Sequence, residues 1–259
     1  MRYSVRALHF AVQDVPGPQA FWMSEWGEWV RFNYYAFLVR GEGHTVLIDC
    51  GIDDLTAWNA MNLAALGERG LVRPSRREGL LLAALAELGV SPEDVDTVAF
   101  THFHGDHAAN ARLFPRARYL VSAEGWRRLD ALSSEVPQML PSPLFPAALI
   151  SYLRDVLDER VVLAADGATT IPGVEIRHVG GHTADSAAFV IPTAEGSVLI
   201  PGDTICLYRN LEADLPVGSN VDLRACYDAM AWARGAADIV LPTHDPELLV
   251  RHPNGIVAG

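Results

Sequence analysis

The chain has 259 residues, half of them hydrophobic and a fifth charged, which is enough for one sizeable core and too apolar for disorder. Its formal net charge of -12 argues against a nucleic-acid binder, because neutralising phosphates needs clustered basic side chains. All 20 basic residues are arginine, so Schiff-base chemistry, lysine general bases and lysine-dependent phosphate loops are excluded. The three cysteines, Cys50, Cys206 and Cys226, are widely spaced and form no C-x-x-C pair, so neither a disulfide framework nor a cysteine zinc knuckle is expected. No stretch is apolar enough to span a membrane, and a cytoplasmic enzyme is the expectation.

Short apolar runs bounded by Gly, Pro or Asp alternate with helical patterns, which predicts an α/β protein. In chain order the expected strands are Ser4–Val12, Tyr34–Val39, Thr45–Asp49, Thr97–Thr101, Arg118–Val121, Val174–Val179, Ala187–Ile191, Ser197–Pro201 and Ile239–Leu241. Helices are expected over Arg76–Leu88, Ala123–Leu132, Pro146–Leu157 and Asp222–Arg234, the last with Asn220 and Asp222 as capping candidates. The segment Ser133–Pro146 carries Pro137, Pro141, Pro143 and Pro146 and cannot be one continuous helix. A pocket wall and a rigid connection are both open for it. One domain spanning residues 1–259 is expected, with two pseudo-equivalent halves of about 1–165 and 166–259.

The strongest chemical signal is Thr101-His102-Phe103-His104-Gly105-Asp106-His107, which follows an expected strand. In extended backbone, residues two apart face the same way, so His102 and His104 can reach one ion. Gly105 permits a turn, after which Asp106 and His107 face a second position. Three imidazoles and a carboxylate so close together make a poor core, since each needs a partner. Three further strand ends supply matching groups: His182 after Val179-Gly180-Gly181, Asp203 after Ile200-Pro201-Gly202, and His244 after Leu241-Pro242-Thr243. A nitrogen and oxygen ligand set suits zinc, manganese or iron.

The order H-x-H-x-D-H, then His, Asp and His, resembles the metallo-β-lactamase superfamily over about residues 34–245. The resemblance implies a four-layer αβ/βα sandwich of two mixed sheets with helices outside. It implies one metal held by His102, His104 and His182, a second held by Asp106, His107 and His244, and Asp203 bridging them. Asp49 in Leu47-Ile48-Asp49-Cys50-Gly51 would steady a ligand histidine or metal-bound water. Two divalent ions are implied, zinc first, with manganese or iron as alternatives. The implied reaction is hydrolysis by a hydroxide shared between them.

Within the superfamily the chain is similar to the lactonase group that includes N-acyl-homoserine lactonases and 4-pyridoxolactonase. The length, the Thr243-His244-Asp245 ending and the stretch from Phe21-Trp22 to Gly27-Glu28-Trp29-Val30-Arg31-Phe32 carry this likeness. The expected activity is opening of a cyclic ester, a lactone, on a small-molecule substrate with an apolar or aromatic part. Asp106, Asp203 and Tyr208 are the expected catalytic residues. Many lactonases place a tyrosine three residues after the bridging Asp; here Cys206 stands there, and Tyr208 is the nearest substitute. The rivals are a thioester (glyoxalase II-like), β-lactam or phosphoester hydrolase of the same fold, and a mononuclear iron persulfide dioxygenase. A vestigial metal-binding scaffold is disfavoured because no ligand position is broken.

Trp22, Trp26, Trp29, Phe32, Tyr34 and Tyr35 cluster in an expected loop, which favours a pocket or a homodimer interface over core. Cys50 and Cys206 are expected as buried inert thiols. His9, His44, His178 and His252 match no ligand motif. Arg31, Arg209 and Arg224 are candidates for binding a substrate carboxylate.

Overall fold

The computed structural model describes residues 2–75, 80–140 and 144–259. The described strands are β1 (Ser4–Pro16), β2 (Trp29–Gly41), β3 (His44–Ile48), β4 (Arg73–Pro74), β5 (Thr97–Ala99), β6 (Arg118–Ser122), β7 (Val161–Ala164), β8 (Glu175–His178), β9 (Ala187–Pro192), β10 (Ser197–Ile200), β11 (Ile239–Val240) and β12 (Ile256–Ala258). The larger sheet runs β12-β1-β2-β3-β5-β6-β7, with β4 beside β1, and the smaller runs β11-β10-β9-β8. Both are mixed: β3, β5, β6 and β7 are parallel, as are β10 and β11, while the remaining pairs are antiparallel.

The two sheets pack face to face. Val5, Phe37, Val46 and Ile48 of the larger sheet share one buried cluster with Ile176, Phe189, Ile191 and Val198 of the smaller. The outer face of the larger sheet is covered by helices that contribute Trp58, Leu81, Leu85, Leu129 and Leu153. Helix Leu223–Ala236 covers the smaller sheet through Met230 and Ala233. These are the four layers expected from the resemblance.

All nine expected strands are present, though β2 starts at Trp29, five residues earlier than expected. This corrects the loop expected for the aromatic stretch. Along β2 alternate residues take opposite faces: Phe32, Tyr34, Ala36 and Leu38 join the helix side, and Tyr35, Phe37 and Val39 join the interior between the sheets. Trp22 and Trp26 precede the strand and remain exposed.

Among the elements that were not expected are β4, β7, β12 and the helices Leu55–Leu66 and Tyr208–Glu212. Strands β4, β7 and β12 are two to four residues long, too short to show a period. Helix Leu55–Leu66 has Asp54 as its cap, accepting from the Thr56 and Ala57 amides. Its sequence, LTAWNAMNLAAL, spreads apolar residues around the whole circumference and carries no charge, so it lacks an amphipathic stripe. Strand β12 pairs with β1, so residues 256–258 join the larger sheet.

The expected helix over 76–88 is observed as Leu81–Ala86, with residues 76–79 outside the described set. Asp222 caps the helix Leu223–Ala236 by accepting from the Ala225 amide. Asn220 instead donates to the Val217 and Gly218 carbonyls. In the proline-rich segment a short 3-10 turn spans Pro137–Met139, and Pro141 and Pro143 lie outside the described residues.

Phe189 is fully buried between the sheets. Phe189→Ala is expected to lower stability by about 3–5 kcal/mol, read as a lower urea midpoint with the slope unchanged. A loss under 1 kcal/mol would mean that the sheets do not meet there.

Candidate metal centre

Parallel strands place their C-terminal ends at one edge, where loops can converge. Asp49 follows β3, His102 follows β5, Asp203 follows β10 and His244 follows β11. His182 sits in the turn between β8 and β9. Two glycines allow the close approaches this requires. Gly181 has φ +86°, and a Cβ there would meet the Cys226 Sγ at 2.8 Å; Gly202 has φ +62°, and a Cβ there would lie 2.9 Å from the Thr101 Cβ.

All seven expected ligands come together, and all are buried. His102, His104 and His182 form one group whose ligand atoms lie within 4.8 Å of one another, and Asp106, His107, Asp203 and His244 form a second. Asp203 faces both. Its Oδ2 is 3.6 Å from His182 Nε2 and 4.0 Å from His102 Nε2, while its Oδ1 is 3.2 Å from His107 Nε2 and 3.1 Å from His244 Nε2.

The outer ring nitrogens are held so that the inner ones point at the centre. The His244 and His182 Nδ1 atoms donate to the Asn33 and Ser219 carbonyls, which fixes a tautomer with a lone pair on Nε2. His107 Nδ1 lies 2.8 Å from Asp49 Oδ2. Asp49 also accepts from the Thr101 amide and hydroxyl. The Asp49 backbone sits at φ 61°, a left-handed conformation that costs a non-glycine residue energy and is held here by these bonds. Thr243 donates to Asp203 Oδ1 at 2.7 Å.

Titration favours a cation. Burial pushes the His102 and His182 imidazoles below their ordinary value and takes His104 down to about 3, so they are neutral and have lone pairs to offer. Burial acts to raise Asp203, but His107 and His244 outweigh it and hold the carboxyl well below the usual range. The buried His102 Nε2 and His107 Nε2 have no hydrogen-bond partner among the described residues. Unpartnered imidazole nitrogens beside ionised carboxylates fit a pair of divalent ions.

The chain matches the profile of the Metallo-beta-lactamase superfamily over residues 29–244. It belongs to that superfamily. Metallo-beta-lactamase domain-containing protein 1 of Homo sapiens is 32% identical over 179 residues, covering 68% of this chain and 57% of that protein. The Xenopus laevis counterpart is covered over 62% of its length, so the match spans about three fifths of these relatives. An N-acyl homoserine lactonase of a Bacillus species is 26% identical over 192 residues, covering 73% of this chain and 71% of that enzyme. Among solved structures, an N-acyl homoserine lactone hydrolase with N-hexanoyl-L-homoserine bound at its catalytic metal centre superposes with TM-score 0.72. It shares 18% identity, with 96% and 95% of the two chains covered. At that identity the likeness shows the superfamily fold alone.

Beside the two groups a cavity of about 230 Å³ opens, lined by Phe32, Tyr34, Trp58, Met61, Leu144 and Val217 together with His104, Asp106, Asp203 and His244. Phe32 stacks on the His244 ring at 4.8 Å, Tyr34 packs edge-on to it at 4.9 Å, and Phe145 packs on His104 at 4.6 Å. Leu144, near the end of the proline-rich segment, thus forms part of the wall. Asp185, which no motif marked, tethers the ligand loop by accepting from the Phe103 amide.

Tyr208 is the exception among the expected catalytic residues. It belongs to the cluster between the sheets, lies under the Arg251 guanidinium at 3.6 Å and does not line the cavity. Two residues past Cys206 the chain has entered the helix Tyr208–Glu212 and turned away from the site. The tyrosine at the cavity is Tyr34, whose hydroxyl donates to Gln13 Oε1. Arg31, Arg209 and Arg224 pair with Asp14, Glu25 and Asp228 at the surface and are absent from the cavity lining. His178 Nε2 meets the Ala184 carbonyl, the ordinary strand histidine expected.

Asp203→Ala is expected to lose metal from both groups. Asp49→Asn should weaken metal affinity about 10–100-fold yet reach the same stoichiometry at saturation. Metal titration of chelator-stripped protein measures both, and an Asp203→Ala protein holding two equivalents of metal would refute the shared position.

Proposed function

We propose that the protein is a metal-dependent hydrolase that opens a compact lactone, with His102, His104, Asp106, His107, His182, Asp203 and His244 as ligands of two divalent ions, zinc first among them. The observation that carries this reading is the joining of two ligand groups at Asp203, facing an aromatic-lined cavity. Such ions, when bound, lower the pKa of water and polarise an ester carbonyl.

The chain's own residues supply the rest. Asp203 spans both groups and sets their separation. The Asp106 carboxylate lines the cavity and is placed to hold the proton released as the ring opens and to return it to the leaving oxygen. Phe32 and Tyr34 lock the His244 ring and exclude water from the apolar side. Burial pushes the Cys206 thiol well above its ordinary value, so it serves as a protonated wall rather than a nucleophile. No lysine exists in the chain, and among the described residues no arginine lines the cavity, which fits a neutral ester better than a phosphoester. A volume below the ~300–1,000 Å³ typical of ligand pockets favours a compact ring over a long extended chain. The bacterial relative named for N-acyl homoserine lactone hydrolysis supports the same substrate class.

Proton release by the metal-loaded protein on a panel of acyl-homoserine and aromatic fused lactones tests this, with chelator-treated protein as control. Metal-dependent acid release is expected; silence across the panel with two metals bound would reject the lactone assignment. Tyr208→Phe is expected to leave turnover unchanged. A large loss of kcat with metals retained would restore that residue to the site.

A further inference from the structure

The cavity has a polar feature on the helix Leu55–Leu66 that the metal site does not use. Trp58 and Asn62 stand four residues apart, one helical turn, and both line the cavity. They are buried, at 5% and 6% exposure. The donors Trp58 Nε1 and Asn62 Nδ2 have no hydrogen-bond partner among the described residues. Neighbouring amides are satisfied by the fold itself. Asn59, on the same helix, exchanges two hydrogen bonds with the Val72 backbone. Gln13, in the cavity wall, donates to the Gly70 carbonyl and accepts from Tyr34.

An indole N–H and an amide NH2 can only donate, and a buried donor left unpaired is costly. We propose that Trp58 and Asn62 form a specificity subsite that donates to a neutral acceptor on the substrate, a carbonyl or amide oxygen outside the ester that faces Asp106 and Asp203. The acceptor is neutral because, among the described residues, no arginine lines the cavity to balance a carboxylate or phosphate. This inference rests on the lactone reading for its substrate, while the donor pair is an independent feature of the helix.

The test compares α-acetamido-γ-butyrolactone with its shape-matched isostere α-isobutyl-γ-butyrolactone, on wild type, Asn62→Leu and Trp58→Phe. Wild type is expected to prefer the acetamido compound. Each substitution should raise its KM about three- to tenfold, the worth of one neutral hydrogen bond, with kcat held and the isobutyl compound unaffected. Equal changes on both lactones, or none on either, would overturn the subsite. A second readout does not need turnover or folded variants beyond the one used for assignment. The indole N–H resonance that Trp58→Phe removes should move downfield when wild-type protein is titrated with the acetamido lactone, and not with the isobutyl one. If wild type opens neither lactone, the lactonase reading fails and this resonance alone decides the subsite: a selective shift supports it, and no shift or an equal shift refutes it.

Discussion

Three carboxylates, Asp49, Asp106 and Asp203, are buried among the five imidazoles of the centre, and a low-dielectric interior does not tolerate such a concentration of charge unless it is compensated. Among the described residues no arginine pairs with any of the three. Asp203, Asp106 and Asp49 outweigh burial at His107 and push its imidazole toward the charged form; a cation bound at its Nε2 would take the place of that proton and supply the same compensation. Much of the surrounding structure serves that balance. Thr101, Thr243, Asn33 and Ser219 hold the outer edges of the ligands, and strained backbone at Asp49 persists because its carboxylate is fastened on three sides.

The same edge of the sandwich is where strand geometry divides the aromatics. Strand β2 crosses the site with a period of two, so Phe32 and Tyr34 meet the His244 ring while Tyr35 and Phe37 fill the space between the sheets. One stretch therefore builds both the cavity wall and the core. The helix Leu55–Leu66 closes the other side, and being apolar on every face it can pack on the sheet and present Trp58 and Met61 to the cavity. Among the described residues the donors on that helix lack partners, whereas Gln13, the other buried amide of the cavity wall, is paired.

The candidate ligand set is legible in the sequence because metal binding restricts residue type. Imidazoles at His102, His104 and His107 with a carboxylate between them have few other uses, and glycines before His182 and Asp203 mark tight strand ends. Tyr208 shows the limit of that logic. Its nearness to Asp203 in sequence suggested nearness in space, but a helix begins there and its ring joins the cluster between the sheets. Tyr34 reaches the site from about 170 residues earlier through a strand of the larger sheet, and no local spacing reports such a contact. Helix Leu55–Leu66 and the short strands escaped for a related reason: a segment apolar all round, or only two to four residues long, carries no period to read.

The sequence by itself marked the candidate chemistry: a lysine-free, acidic α/β chain with seven candidate nitrogen and oxygen ligands in a set order, since residue type and strand-end placement are local properties. Only the tertiary structure decided that Asp203 stands between two groups, that Tyr34 rather than Tyr208 faces the cavity, and that Trp58 and Asn62 line it with donors unpaired. Those facts depend on which strands of two different sheets share an edge, and that is set by packing between segments far apart in the chain.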